Sequence, residues 1–200
     1  MKVTGEQRQM WRVLLGILLG CILFPAALLL YFQYGFPPLA VGDKPFYGEE
    51  GLTQAPLHSR VPREAPKYAP IPLTEENLVA GAHVYVDRCA VCHGIHGKPS
   101  SIGSRMYPIA PPLWERKSVD DVVGVSSDPP GETYWKISNG LRLSGMPAHQ
   151  GVLTDTEIWQ VSLLLANANK PLPPAALALL HEQAAQPEPK AKKPSPDADE

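Results

Sequence analysis

The sequence predicts an all-α protein in which a helical domain follows one apolar N-terminal helix. Two observations support this fold class: an uncharged apolar run at residues 13–32, and apolar residues at helical spacing with helix caps in residues 74–170. No segment has the strict alternation that indicates a β-strand. Of the 23 prolines, 15 lie in residues 37–72 and 171–196, where no apolar periodicity occurs. We therefore divide the chain into an N-terminal segment (1–12), an anchor (13–32), a Pro-rich linker (33–73), the helical domain (74–170) and a Pro-rich, partly disordered tail (171–200).

The anchor, residues 13–32, contains no charged side chain and is long enough to cross a bilayer as one helix. Three basic residues precede it against a single acid, Glu6. The positive-inside rule then predicts that residues 1–12 are cytoplasmic and that the rest of the chain lies outside. One alternative is a cleaved signal peptide, whose apolar core is normally shorter, and another is a lipoprotein signal ending at Cys21, after which the chain should turn polar. We expect a single-pass protein of the bacterial inner membrane with a periplasmic domain.

The linker, residues 33–73, is of mixed charge, and its sequence favours no long helix or strand. As a flexible coil its ends would lie about 35–40 Å apart, and as a polyproline helix about 120 Å apart. A flexible linker of this length would let the domain move between partners over the membrane surface. The alternative is that the linker lies ordered along a neighbouring membrane subunit. In the tail, residues 175–180 read as a short apolar helix, and the C-terminal end is expected to be disordered.

Four helices are predicted within residues 74–170. They run from an N-cap at Thr74 to about Cys89, from Ser118 toward Val125, from Thr133 to Asn139 with Gly140 as C-cap, and from a Thr154–Glu157 capping box to a stop before Pro171. Gly81 lies inside the first helix, where glycine costs about 1 kcal/mol relative to alanine. This cost is understandable if a second helix crosses at that point, near Trp159, and its backbone approaches closely.

The chemistry of the chain is predicted from Cys89, Cys92 and His93, which form the Cys-x-x-Cys-His pattern of c-type haem attachment. Two thiols at this spacing lie on one side of a helical turn, where they can form thioethers to the two haem vinyl groups. The imidazole that follows can then bind the iron. A zinc site would need a second pair of ligands, and a thioredoxin-like pair would need a preceding strand instead of a helix. We therefore expect one covalent haem c.

An electron carrier with a low-spin haem needs a sixth iron ligand, and Met146 in Gly-Met-Pro is the best candidate. A thioether ligand raises the reduction potential relative to two imidazoles. Met106 is the other methionine of the domain and lies in the loop near His93. His149 is the alternative for a bis-histidine site, whereas His96 is too near His93 to reach the opposite haem face. An open sixth position is the remaining alternative.

These features resemble the class I cytochromes c, which have one haem with histidine and methionine ligands, and in particular their membrane-anchored bacterial members. The resemblance covers residues 74–170. Gly81 and Tyr85 stand where this family places a glycine and an aromatic residue at its helix crossing. The Pro-Pro-Leu sequence that starts at Pro111 resembles the family's Pro-x-Leu loop. It implies that the Pro111 carbonyl, or that of the next proline, accepts a hydrogen bond from His93 Nδ1.

The resemblance also implies polar groups that hold the haem propionates. The candidates in this sequence are Arg105, Tyr107, Trp135 and Arg142. The lysine-rich face of soluble mitochondrial cytochromes is missing, so strong electrostatic steering of a partner is not expected. The net charge of −2 likewise gives no field that would attract nucleic acid.

The function implied by the resemblance and by Met146 is electron transfer and not catalysis. We expect the protein to carry single electrons between respiratory or photosynthetic membrane complexes on the periplasmic side. It would do so as a tethered carrier or as a non-catalytic haem subunit of a larger complex. Its partners would be electron donor and acceptor proteins, with no small-molecule substrate. The alternative is a haem catalyst or gas sensor, which requires an open distal site.

Overall fold

The computed structural model describes residues 5–116 and 121–182, which divide into two compact units at residues 49 and 50. The described residues contain α-helices, one short 3-10 turn and isolated β-bridges, but no β-strand. The all-α prediction is therefore confirmed.

The first unit contains α1, Gly5–Tyr34, which includes the whole predicted anchor and extends it at both ends. Within it, Gln7–Tyr34 is long and apolar enough to cross a membrane, and its side chains are not buried inside the protein. Pro25 lies inside α1 without ending it. Such a helix presents an apolar surface on every side, as a membrane-spanning segment does.

Residues 35–48 turn back onto the end of α1. The ring of Phe46 packs edge-on against Tyr31 and Phe32, with ring centroids 6.3 Å apart in both pairs. The carboxylate of Asp43 accepts hydrogen bonds from the backbone N–H groups of Leu39 and Ala40, both at 2.8 Å, and these bonds lower the pKa of Asp43. The segment after the apolar helix is thus a closed turn.

The second unit contains the remaining helices. They are α2 (Glu49–Glu64, whose first residue belongs to the first unit), α3 (Glu75–Arg88), α4 (Ala90–His93), α5 (Pro130–Asn139), α6 (Asp155–Ala166) and α7 (Pro174–Glu182), with a 3-10 turn at Gly103–Arg105. The predicted caps are present: the Thr74 hydroxyl accepts from the Asn77 N–H, and Thr154 and Glu157 form a capping box. The helix predicted in the tail is also present, as α7.

Two expectations about helices differ from the structure. The expectation that the linker forms no long helix was wrong, because α2 occupies Glu49–Glu64 although Pro56 and Pro62 lie inside it. Burial of Val61 and Ala65 holds this segment against the domain and outweighs the poor local propensity. The start of the helix predicted from Ser118 lies outside the described residues, and residues 121–125 are not helical.

The core is built on the crossing of α3 and α6. Gly81 lies directly against the backbone of Gln160, so that a Cβ atom at this position would overlap the Gln160 carbonyl. Close approach buries Ala82 and Tyr85 of α3 against a continuous apolar face of α6. A side-chain hydrogen bond of 3.0 Å from Gln160 to Asn77 joins the two helices beside the glycine.

Two other helices complete this core. Tyr134 of α5 stacks on Trp159 of α6, with ring centroids 4.3 Å apart and planes 18° apart. On the other side, α7 inserts Ala176 and Leu180, neither of which retains any exposed surface. The core therefore extends beyond residue 170, into the segment that the sequence assigned to the tail.

The helix crossing predicts the effect of Gly81→Ala. Alanine has the better helix propensity, but its Cβ would force α3 and α6 apart, and we expect a loss of about 1–3 kcal/mol in the free energy of unfolding. Gly51→Ala in α2 is the matched control, because nothing lies within 4 Å of the added Cβ. Chemical denaturation of the haem-loaded protein measures both. Equal effects of the two substitutions would show that the crossing does not depend on the glycine.

Candidate functional site

Cys89, Cys92 and His93 share one turn of helix at the end of α3. Cys89 is both the C-cap of α3 and the N-cap of α4. Its carbonyl accepts hydrogen bonds from the N–H groups of Cys92 (3.1 Å) and His93 (2.9 Å). Burial raises the pKa of the Cys89 thiol to about 12, and the neighbouring Cys92 adds to this effect. The structure thus brings together the three residues of the attachment motif.

The turn that follows the motif is fixed by Tyr85. Gly94 ends α4 with a left-handed φ of 72°, and its carbonyl accepts a 2.7 Å hydrogen bond from the Tyr85 hydroxyl. Burial raises the pKa of Tyr85, which keeps this hydroxyl protonated as a donor. Its ring packs edge-on against Trp114 at 5.4 Å. The aromatic residue at the helix crossing therefore also holds the backbone next to His93.

The orientation of the His93 ring is set by a backbone carbonyl. Its Nδ1 lies 2.8 Å from the Pro111 oxygen. A carbonyl can only accept, so Nδ1 carries the proton and the lone pair of Nε2 remains for a metal. The contact is made by Pro111 and not by the next proline. Burial lowers the pKa of His93, the Pro111 carbonyl opposes this, and the nearby His149 adds to the lowering.

The loop after the motif lies against the Cys92 backbone. Gly103 makes this possible, because a Cβ there would overlap the Cys92 carbonyl. The Ser100 hydroxyl joins the two segments: it donates to the Val91 carbonyl and accepts from the Gly103 N–H at 2.9 Å. Sequence reasoning did not identify these two residues. A serine three positions before a glycine is a local turn signal that could have indicated them.

Met146 lies in a loop that closes on the end of α5. The Leu141 N–H donates to the Met146 carbonyl at 3.1 Å, and the His149 N–H donates to the Ile137 carbonyl at 3.0 Å. Gly140 allows this closure through its φ of 66°, and a Cβ there would lie 2.5 Å from the backbone nitrogen of Ala148. Met146 is half-buried against the core. The loop therefore presents its methionine from a fixed backbone.

Met106 lies beside this loop. Its methyl end contacts Gly145, so closely that a Cβ on this glycine would overlap it. The loop after the haem motif and the loop that carries Met146 therefore meet. From sequence we placed Met106 only near His93, and its contact with Gly145 brings the two methionines of the domain close together.

Buried polar groups in the described residues indicate how the polar edge of a haem would be held. Four side-chain atoms there are buried and have no hydrogen-bond partner: Trp114 Nε1, Ser126 Oγ, Thr133 Oγ1 and His149 Nδ1. A buried group without a partner costs about 1–3 kcal/mol. His149 lies near enough to His93 to lower the pKa of that residue. Its unpartnered nitrogen suits a haem propionate, and the residues present therefore fit a haem.

The four propionate candidates named from sequence are not gathered at one place in the structure. The Trp135 indole N–H donates to the Glu64 carboxylate at 3.2 Å, and the Arg60 guanidinium lies 5.6 Å from the centroid of the same ring. The indole N–H of Trp135 thus already has a protein partner on α2, a helix that the sequence did not predict. Arg105, Tyr107 and Arg142 are exposed on the loops after the motif and before Met146, and the structure does not gather them into one buried cluster.

Comparison with known proteins gives two similarities. Residues 76–163 match the family model described as cytochrome c oxidase, cbb3-type, subunit III. The chain is also 27% identical over 122 residues to a thiosulfate dehydrogenase of Stutzerimonas stutzeri (strain A1501). That match covers 61% of this chain but 37% of the relative, so the chain spans little more than a third of the length of that protein.

The closed methionine loop predicts that alanine substitutions at two glycines will have different effects on amide hydrogen exchange. Gly140 and Gly151 both have a left-handed φ, 66° and 84°, but only Gly140 has backbone atoms in contact range of an added Cβ. Gly140→Ala should open the loop, so the Leu141 and His149 amides should exchange hydrogen at least ten times faster. Gly151→Ala also places a side chain at a positive φ, and it should leave both amides protected. Hydrogen exchange measured by NMR tests this, and equal rates in the two variants would contradict it.

Proposed function

We propose that this protein carries covalent haem c and transfers single electrons between redox proteins at a membrane, because residues 76–163 match the family model of a cytochrome c oxidase subunit. Cys89 and Cys92 form the thioethers, and His93 and Met146 are the axial ligands. The observation that carries the proposal is the pair of fixed ligand-bearing turns, one held by the Pro111 carbonyl and the other closed by the bond from Leu141 to Met146.

The two turns suit electron transfer better than catalysis. The haem supplies an iron centre that alternates between the ferric and ferrous states. His93 is kept neutral by burial and is oriented by its Nδ1 hydrogen bond. Met146 is held by a closed loop, so its thioether needs no rearrangement when the charge of the iron changes. If His93 and Met146 both bind the iron, they would leave no open position on it for a substrate or gas.

The loops that carry these ligands form a surface suited to a redox partner. Exposed apolar side chains lie close in sequence to the proposed ligands: Val91 in α4, Ile102 and Ile109 in the segment after the motif, and Leu143 in the loop before Met146. Leu143 is 82% exposed and has a φ of 62°, which is strained for any residue but glycine. Arg105 and Arg142 are exposed in the same two segments. An apolar centre with an arginine rim suits a partner whose docking site has an acidic rim.

The first unit supports attachment to a membrane. Its apolar helix α1 would be the anchor, with its basic N-terminal side in the cytoplasm and the haem domain in the periplasm. Because α2 begins at Glu49, only residues 35–48 connect it to α1, and even if their closed turn opened completely they would span at most about 50 Å. This reach is far shorter than that of a linker of residues 33–73.

The short connection and the family similarity favour a fixed haem subunit over a freely ranging carrier. The matching family model describes a subunit of a cbb3-type cytochrome c oxidase, a multi-subunit setting in which a tethered haem domain would pass electrons onward. Copurification from gently solubilised membranes tests whether the protein is a fixed subunit. A stable stoichiometric complex is expected, and a free monomer would favour the carrier.

A second candidate follows from the similarity to a thiosulfate dehydrogenase. In this version the haem domain would be the electron-accepting part of an enzyme that oxidises an inorganic sulfur compound. Adding thiosulfate to the purified ferric protein distinguishes the two functions. No reduction of the haem is expected for an electron-transfer subunit, whereas rapid reduction would favour the enzyme.

The axial ligands are tested by Met146→Ala. The oxidised protein should lose its far-red charge-transfer band from the thioether–iron bond, its reduction potential should fall, and the ferrous form should gain binding of carbon monoxide. Met106→Ala is the matched control, since this methionine contacts the same loop through Gly145. A band that survives Met146→Ala but disappears in Met106→Ala would reverse the assignment. A high-spin spectrum in the unmodified protein would support the haem catalyst or gas sensor.

The docking surface is tested by Leu143→Ser. Removing an exposed apolar anchor should slow oxidation of the haem by the terminal oxidase in native membranes by about 5- to 30-fold, while the spectrum and the reduction potential stay unchanged. Leu52→Ser is the control, because Leu52 is similarly exposed but lies on α2. Equal rates for Leu143→Ser and Leu52→Ser would exclude Leu143 from the docking surface.

A further inference from the structure

Two histidines that the electron-transfer site does not use lie together on the surface. His96 follows the attachment motif, and His181 lies in the last turn of α7. Both are exposed, and their ring centroids are 4.8 Å apart with the planes at 59°. The pair joins the haem-binding loop to a helix that is remote in the sequence.

Each ring is attached to a backbone that is held in place. Two hydrogen bonds between Ile95 and Lys98, of 3.0 and 2.9 Å, close the turn that carries His96. The last turn of α7 is fixed by Leu180, which is fully buried and directly precedes His181. A pair positioned in this way loses little conformational freedom when it binds one ion, since most of the ordering is provided by the fold.

The separation of the rings suits a shared metal ion. Two imidazoles that bind one ion through nitrogens about 2.0–2.1 Å from it have centroids about 4.5 Å apart at a 90° angle and about 5.2 Å apart at the tetrahedral angle. The observed 4.8 Å falls between these limits. Stacked rings with parallel planes would be unable to direct a lone pair from each at the same point, whereas these planes are strongly inclined.

We propose that His96 and His181 form a binding site for a borderline divalent transition-metal ion, Zn²⁺ or Cu²⁺. Imidazole is a preferred ligand of both ions, and Cu²⁺ binds more tightly than Zn²⁺ to a given nitrogen site. The described residues contain no group of three or more histidine, cysteine or carboxylate ligands, so water completes the coordination. The site is separate from the haem iron and uses neither axial ligand.

Binding at this site would fasten α7 to the loop that follows His93. An ion that requires both rings binds only while α7 is docked, so it shifts the local opening equilibrium of α7 toward the docked state. At a metal concentration of 100 times Kd, the opening equilibrium falls about 100-fold. The ion would thereby stabilise the last helix of the core and the turn next to the proximal ligand.

The test uses the full-length haem-loaded protein in its ferric state, stripped of metals with a chelator. Titration with Cu²⁺ should give a paramagnetic resonance signal with hyperfine coupling to two imidazole nitrogens. Titration with Zn²⁺ should slow hydrogen exchange of the α7 amides. His96→Gln and His181→Gln should each weaken binding of both ions at least ten-fold and remove the protection of α7.

His83→Gln is the matched control, because His83 is an exposed histidine of α3 and the haem ligands are untouched. It should bind both ions as the unmodified protein does. Equal affinity in the His96→Gln or His181→Gln variant would overturn the proposal, as would Zn²⁺ binding without any change in the exchange of α7. The haem spectrum of each variant is recorded in parallel, so a failure here leaves the electron-transfer proposal intact.

Discussion

The contact between two backbones at Gly81 is the constraint on which the rest of the domain depends. Only a residue without a side chain lets α3 approach the Gln160 carbonyl of α6, and this approach buries Tyr85. The same crossing aligns α6 so that Trp159 can stack on Tyr134 of α5. Since α3 ends in the attachment motif and α5 ends in the methionine loop, one close contact determines where both ligand-bearing segments begin.

From these two starting points, the site is completed by backbone carbonyls and glycines and not by charged side chains. Tyr85 holds Gly94, and Pro111 holds His93. Gly140 lets the methionine loop return to its origin. Neutral contacts of this kind suit a centre whose charge changes by one unit, because a nearby ionised side chain would favour one oxidation state strongly over the other.

Local signals in the sequence were sufficient for much of this arrangement. The attachment motif, the capping box at Thr154 and the C-cap at Gly140 all depend on residues whose roles are decided within a few positions. The helix crossing was indicated by a glycine inside a helical pattern and by the family resemblance, although the partner of Gly81, Gln160, is distant in the sequence. Pro111 was identified as the partner of His93 through the family resemblance, and the structure has the contact there.

The features that sequence reasoning missed depend on distant partners. The proline content of residues 49–64 argued against a helix, yet burial of Val61 stabilises α2. Once α2 is present, Glu64 takes the indole N–H of Trp135, which lies 71 positions away in the sequence. No local pattern records such a pairing. The same is true of His96 and His181, because neither position has a neighbour in sequence that indicates the other.

Because α7 is part of the core, the domain can complete its folding only after the C-terminal helix has been synthesised. Leu180 is in the same core as Tyr85, although it is made much later during synthesis. The motif cysteines therefore emerge well before the helices that close the core around them. Until Leu180 has been made this core is incomplete, so covalent attachment at the two thiols can precede the final packing of α7.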